Sequence, residues 1–257
     1  LDRSSAASDV YKRQLPGVQE ELLKEIKKTG KPMIVVLIAG KPLAMPWVKE
    51  NADALLVQWY AGEQQGCTLA DILLGKVNPS GKLNVSFPRS TGNTPCFYNH
   101  FVTDREEPFD QPGTPEEPKG HYIFDKPEPL WNFGHGKSYT TFDYVDCALS
   151  DTLLAASDTL KVSVMIKNTG RCDGKEVVQL YVRDKVSTVA TPIQQLKAFQ
   201  KELVPVGYTR EVKLVLPIAE LALYNADMEE VIEPGEFELQ IGSASDDIRI
   251  RRTIIVR

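Results

Sequence analysis

The sequence predicts a chain of two characters, a mostly parallel α/β region followed by an all-β sandwich. Three observations predict it. Up to about residue 89, continuous apolar runs alternate with stretches of helical period. From about Phe142 to Arg257, short segments alternate apolar and polar residues between turn signals. Between the two regions, six prolines fall from Pro108 to Pro129 among Asp, Glu and Gly, the composition of a long extended connection.

Each element can be read in order. Residues 1–14 (LDRSSAASDVYKRQ) carry no sustained apolar period, and they read as a foreign junction or a frayed terminus outside the fold. At Leu15 the text changes. Val18, Leu22, Leu23 and Ile26 fall at near-helical spacing, with Pro16 near the start and Gly30 as the stop. Lys31 to Ala39 is a continuous apolar run that predicts a strand buried on both faces. A short helix over Pro42 to Asn51 and a second buried strand over Ala52 to Tyr60 follow. Gly62 to Gly75 reads as a helix closed by Gly75, Asn78 to Gly81 as a turn, and Leu83 to Phe87 as a last short strand. About three strands are present where a doubly wound sheet normally has roughly five or six, so the region reads as part of one.

The β region opens near Phe142. Strands are predicted over Leu160–Lys167, Glu176–Arg183, Glu211–Leu216, Glu236–Ile241 and Ile248–Val256, with turns at Asn168–Gly170 and around Asn225 and Asp227. The spacing predicts a sandwich of about seven strands. The immunoglobulin signature of paired Cys with an intervening Trp is absent, which points to the fibronectin-like variety. The domain division that follows is 1–14 junction, 15–100 partial α/β domain, 101–141 Pro-rich connector and 142–257 fibronectin III-like sandwich.

Composition narrows the function classes. The 257 residues are 42% hydrophobic and 25% charged, as in an ordinary globular protein, with a net charge of -5. That balance gives no basic footprint for nucleic acid. The longest apolar stretch, Met33 to Ala39, is far below the ~18 residues of a membrane span. Cys67, Cys96, Cys147 and Cys172 are too scattered for a C-x-x-C metal or redox motif. Gly136-Lys137-Ser138 resembles the end of a phosphate-binding loop, but the required upstream glycine is Trp131. His100, His121 and His135 stand apart from one another and from any acidic cluster. No metal and no cofactor is implied.

The ends of the second strand carry more. Trp59 and Tyr60 close it and Glu63 opens the next helix. In open α/β sheets the ligand crevice forms at the carboxyl ends of strands. A Trp there offers a face for stacking on a sugar or another ring, and it equally suits core or interface packing. The Glu63 carboxylate either faces that crevice or complements the helix dipole, an effect of ~0.3–1 kcal/mol.

The run from Gly40 to His100 (GKPLAMPWVKENADALLVQWYAGEQQGCTLADILLGKVNPSGKLNVSFPRSTGNTPCFYNH) resembles the second half of the α/β-sandwich domain of family 3 glycoside hydrolases, the β-glucosidase family. The NPSGKL turn, the F-P-R-S strand end, the G-E-x-x-G helix start and Tyr98-Asn99-His100 all carry the likeness. PLWNFGHGKSYTTFDY (Pro129 to Tyr144) resembles that family's entry into its C-terminal domain, with Lys137 in place of the usual Leu. Glu176 to Arg183, Thr191-Pro192 and Leu196 to Phe199 are similar to its fibronectin III-like domain. Tyr60-Ala61 and Gln64-Gln65 depart mildly from the family pattern.

The resemblance implies a retaining, exo-acting hydrolase of terminal β-linked sugars, in which one carboxylate attacks the anomeric carbon and a second serves as acid, then base. It places the nucleophile Asp in an N-terminal (β/α)8 barrel, which alone needs ~250 residues. It places the acid/base Glu upstream of the L-P-G-x-Q helix. Neither maps onto this chain, so no catalytic residue is assigned, and the 257 residues on their own are expected to be inactive. Trp59, Glu63 and Tyr98 are the substrate-binding or interface-facing candidates. The partner implied is a carbohydrate substrate, with periplasmic or secreted localisation favoured over cytoplasmic. The alternative is a non-catalytic carbohydrate-binding or scaffolding module, for which Trp59, Trp131 and the Pro-rich segment would supply the surface.

Overall fold

A computed structural model describes residues 13–101 and 128–257. Most of the expected junction, most of the Pro-rich connector and His121 therefore lie outside the described residues. The chain divides into two compact units. One holds residues up to Lys76 together with Val85–Phe97 and residues through Asn132; the other holds Val77–Asn84, Tyr98 onward and Phe133–Arg257.

In the first unit, helix α1 spans Gln19–Lys27, with Glu20 and Glu21 in its first turn and Lys24 and Lys27 in its last, the arrangement a helix dipole favours. Gly30, at φ 70°, turns the chain away after it. Strands β1 (Ile34–Leu37) and β2 (Ala54–Val57) pair in parallel, Ile34 opposite Ala54 and Leu37 opposite Val57. Helix α2 (Pro46–Asn51) starts on a proline, whose missing N–H costs nothing at that position. Helix α3 (Gln65–Leu73) ends just before Gly75, at φ 72°.

Asp53 ties these pieces together. Its carboxylate accepts the Met33 N–H at 2.8 Å and lies 3.2 Å from the Lys27 ammonium. The backbone hydrogen bond first, then Lys27, holds its carboxyl below the usual range.

Two expectations for this unit are corrected. The apolar run through β1 is not buried on both faces: Met33 and Leu37 are buried, whereas Ile34 and Ile38 are 54% and 52% exposed. Alternate residues of a strand point to opposite faces, and a two-stranded sheet with short helices covers only one of them here. β2 is likewise only half-buried. Leu83 to Phe87 forms no strand. Within this unit Phe87 exchanges backbone hydrogen bonds with Leu130 and Trp131 as an isolated bridge.

The second unit is a β-sandwich. Its three-stranded sheet runs β3 (Phe142–Leu149), β5 (Thr159–Asn168), β8 (Thr209–Pro217). The five-stranded sheet runs β4 (Leu153–Leu154), β12 (Asp247–Val256), β11 (Gly235–Ala244), β6 (Gly174–Asp184), β7 (Gln195–Val204). All pairs are antiparallel except the short β4–β12 contact. A small hairpin of β9 (Leu223–Tyr224) and β10 (Glu230–Val231) turns at Asn225, whose side-chain oxygen accepts the Asp227 and Glu229 N–H groups.

The core lies between the two sheets. Leu160, Val162, Val164 and Ile166 of β5 and Leu214 and Leu216 of β8 meet Val178, Leu180, Leu239, Ile241 and Ile254, all essentially inaccessible. Strand β6 is buried on its other face too: Val177, Gln179 and Tyr181 are covered. Tyr181 donates to Gln179 Oε1 at 2.6 Å, and the Gln179 amide donates to the Ser243 carbonyl. Gly134, at φ 82°, has no room for a side chain because Gln179 and Ala244 fill that space.

Two motifs that sit far apart in sequence interlock on this unit. Asn78 of the N-P-S-G turn accepts from Ser138 Oγ at 2.9 Å and from the Tyr139 N–H at 2.8 Å, and it donates to the Asp173 carbonyl. Lys82 lies 3.2 Å from Glu176 and donates to the Gly136 carbonyl, with both charged side chains largely buried. Leu83 bonds the backbone of Gly134 and His135.

Candidate functional site

Because β1 and β2 run in parallel, the loops leaving them start from the same edge. Gln58 fixes the second loop: its N–H donates to the Leu37 carbonyl and its side-chain amide to the Gln65 carbonyl at 2.7 Å. Trp59 then takes a left-handed backbone, φ 53°, a conformation that costs a bulky residue ~1–2 kcal/mol. Gly62, at φ 76°, completes the turn into α3.

The kink sorts the side chains. The Trp59 ring lies 5.9 Å from Phe87, tilted by 49°, and Phe87 meets Trp131 edge-on at 5.9 Å. Lys49 stands over the Trp131 ring at 5.6 Å and donates to the Leu130 carbonyl. Trp59 and Trp131 are thus both packed on one buried phenylalanine. Tyr60 is 76% exposed, with its ring edge resting on the Gly40 backbone. Glu63 is exposed and makes no hydrogen bond or ion pair among the described residues.

Tyr98 belongs to the second unit. It stacks on Phe133 at 4.2 Å, meets Tyr181 edge-on at 5.8 Å, and its hydroxyl accepts the Leu196 N–H. Of the three residues singled out by sequence, the structure therefore places Trp59 and Glu63 on one loop and Tyr98 in the sandwich. The feature that sequence reasoning misses is the contact of Tyr60 with Gly40. The adjacent Trp-Tyr pair at a strand end is its only sequence signal.

Other groups with shifted titration are structural in setting. Burial pushes the Cys96 and Cys147 thiols up, and the four cysteines are free. Burial, then Glu176, pushes the Tyr144 phenol up, and burial does the same for Tyr181. A cavity of about 200 Å³ at the end of β6 is lined by Arg183, Asp184, Lys185, Ser187 and Thr191, where burial raises the Asp184 carboxyl. Among the described residues no helix is long and apolar enough to cross a membrane.

Comparison with known proteins gives this geometry a context. The pattern of the glycosyl hydrolase family 3 C-terminal domain matches residues 2–139, a span that takes in most of the segment set apart as a junction. The fibronectin type III-like domain matches residues 176–245. A β-xylosidase of Formosa agariphila is 42% identical over 237 residues, covering 91% of this chain and 31% of the relative. A periplasmic β-glucosidase of Salmonella typhimurium is 38% identical over 238 residues, covering 91% and 30%. A crystal structure of β-glucosidase from Listeria innocua in complex with glucose superposes with a TM-score of 0.86 at 36% identity, covering 95% of this chain and 33% of that one. The chain thus spans about a third of the length of these relatives. Two domain patterns in the family's order, carried on an α/β unit and a β-sandwich, show that the chain belongs to glycoside hydrolase family 3.

Proposed function

We propose that this chain forms the carboxyl-terminal part of a retaining, exo-acting β-glycosidase that removes terminal β-linked sugars from oligosaccharides or glycosides. One observation carries the reading: relatives named β-xylosidase and β-glucosidase align across 91% of the chain, yet extend to about three times its length. A retaining mechanism needs two carboxylates ~5–5.5 Å apart, one as nucleophile and one as acid/base. On the family reading both come from outside these residues. The role of this chain is then to build a wall of the site rather than to break the bond.

Within that wall, Trp59 and Glu63 are the interface-facing candidates of the α/β unit, and Tyr98 is the candidate of the sandwich. The Glu63 carboxylate is free to accept hydrogen bonds from sugar hydroxyls, because no protein group occupies it among the described residues. Trp59 contributes chiefly through its packing on Phe87. The name of the Salmonella relative supports a periplasmic or secreted setting.

The test is turnover. The 257-residue chain is incubated with 4-nitrophenyl β-D-glucopyranoside and the matching xyloside, beside a longer product of the same gene carrying the upstream residues. The expected result is release of nitrophenol by the longer product only. Release by the 257 residues alone would contradict the assignment of both carboxylates to sequence outside them.

A further inference from the structure

We propose that Tyr60 is a preset aromatic platform for a pyranose ring, seated on Gly40 and aimed by the left-handed kink at Trp59. The proposal rests on the reading of this chain as a wall of a glycosidase site and adds a residue to it. Tyr60 and Trp59 are neighbours, yet their rings are treated differently. Trp59 is tied to Phe87, whereas Tyr60 presents most of its surface to solvent.

An exposed tyrosine usually has rotational freedom, but this one has a seat. A Cβ on residue 40 would lie 2.7 Å from Tyr60 Cε2 and 3.3 Å from Cζ and the hydroxyl. With glycine at position 40 the ring edge settles there unhindered, whereas a β-carbon would push the exposed ring aside. The loop after β1 therefore supplies the seat, and the loop after β2 supplies the ring. An aromatic held in place before binding loses little rotamer freedom when a ligand arrives.

The ligand class follows from the two groups on the Trp59–Glu63 loop. The tyrosine face suits the C–H face of a sugar ring. Glu63, exposed and without a partner among the described residues, accepts from hydroxyls. Together they suit a neutral, hydroxylated six-membered ring better than an anion, which Glu63 would repel, or a flat apolar ring, which leaves the carboxylate unused.

The test is an NMR titration of the 257-residue chain with methyl β-D-glucopyranoside and methyl β-D-xylopyranoside, with glycerol as the acyclic control. Saturable shifts at Tyr60 and Gly40 with the glycosides, and none with glycerol, are expected. Tyr60→Ala should weaken binding by roughly tenfold, while Tyr60→Phe keeps it because the ring face is retained. Gly40→Ala keeps the ring and removes its seat, so binding should fall although the tyrosine is present. Since Tyr60 is exposed, the melting temperature should be unchanged by Tyr60→Ala, which separates a binding role from a structural one. Equal binding by wild type and Tyr60→Ala would overturn the role of Tyr60 and leave the glycosidase reading intact. No saturable binding by the wild-type chain would overturn the platform itself. The glycosidase reading is judged separately, by turnover of the longer gene product.

Discussion

The two units meet the same demand, covering apolar surface, with very different success. The β-sandwich closes a continuous core from both sheets, in which Leu160, Ile166, Leu180, Leu239 and Ile254 are fully inaccessible. The α/β unit buries a shorter set, Met33, Leu37, Leu43, Ala44, Met45, Val48, Phe87 and Leu130, and leaves Val18, Leu22, Ile34, Ile38 and Leu74 in solvent. Neither α1 nor α3 has a fully buried residue. The apolar stripe that makes α1 a helix in sequence, Val18, Leu22 and Ile26, is thus exposed in the structure. The comparison teaches that burial is concentrated in the sandwich, whereas the candidate loop bearing Trp59 and Glu63 belongs to the unit with the smaller core.

Core truncations break the comparison most sharply. Leu180→Ala or Ile166→Ala should cost the sandwich ~2–5 kcal/mol, from lost transfer energy and the cavity left behind. Leu22→Ala on α1 should change stability by no more than ~0.5 kcal/mol, as at an ordinary surface site. Urea denaturation followed by the near-ultraviolet signal of each variant checks both. Equal losses at Leu180 and Leu22 would show that α1 packs as tightly as the sandwich.

The interlock of the N-P-S-G-K-L turn with the sandwich comes next. Removing one partner of a largely buried pair leaves the other charge uncompensated, so Lys82→Met should destabilise by ~3 kcal/mol. The double variant Lys82→Met/Glu176→Leu should recover part of that loss, because two apolar groups need no charge partner. Thermal melts of the single and double variants test this. A double variant worse than Lys82→Met would show that Glu176 has a second essential contact, with Tyr144 as the candidate.

The smallest expected effect is at Asp53. Its carboxyl is held below the ordinary value, so it adds stability to the folded α/β unit above the unfolded-state pKa of ~3.9. That contribution is lost as pH falls from about that value through the lower folded one. Because Asp53 is exposed, the effect should be a shallow acid slope, absent in Asp53→Asn. Melting of both proteins between about pH 6 and about pH 3 tests it.

Much of this architecture is legible in the sequence, for identifiable reasons. Strands β5, β8, β11 and β12 each carry a one-sided alternation, since one face meets the core. The edge strands β3 and β7 do not show themselves. In β7 only Val204 is fully buried, and β3 is broken by a bulge between Tyr144 and Asp146. Strand β6 reads as alternating, yet both its faces are covered, because the segment around Gly134 reaches it only through tertiary packing. In the α/β unit, element order is readable from apolar runs and glycine stops, but burial is not.

The candidate site divides along the same line. Trp59 and Glu63 are visible as residues at a strand end and a helix start. The stacking of Tyr98 on Phe133 and the seating of Tyr60 on Gly40 join residues distant in sequence, and no local pattern encodes such contacts.

Native-state amide hydrogen exchange tests the contrast between the units most directly. Exchange through β5, β6, β8 and β11 should require global unfolding, and Leu83 and Gly134, bonded on the sandwich, should share that protection. Amides of α1 and β1 should exchange through local opening, orders of magnitude faster. Protection of α1 and β1 equal to that of the sandwich strands would contradict the account.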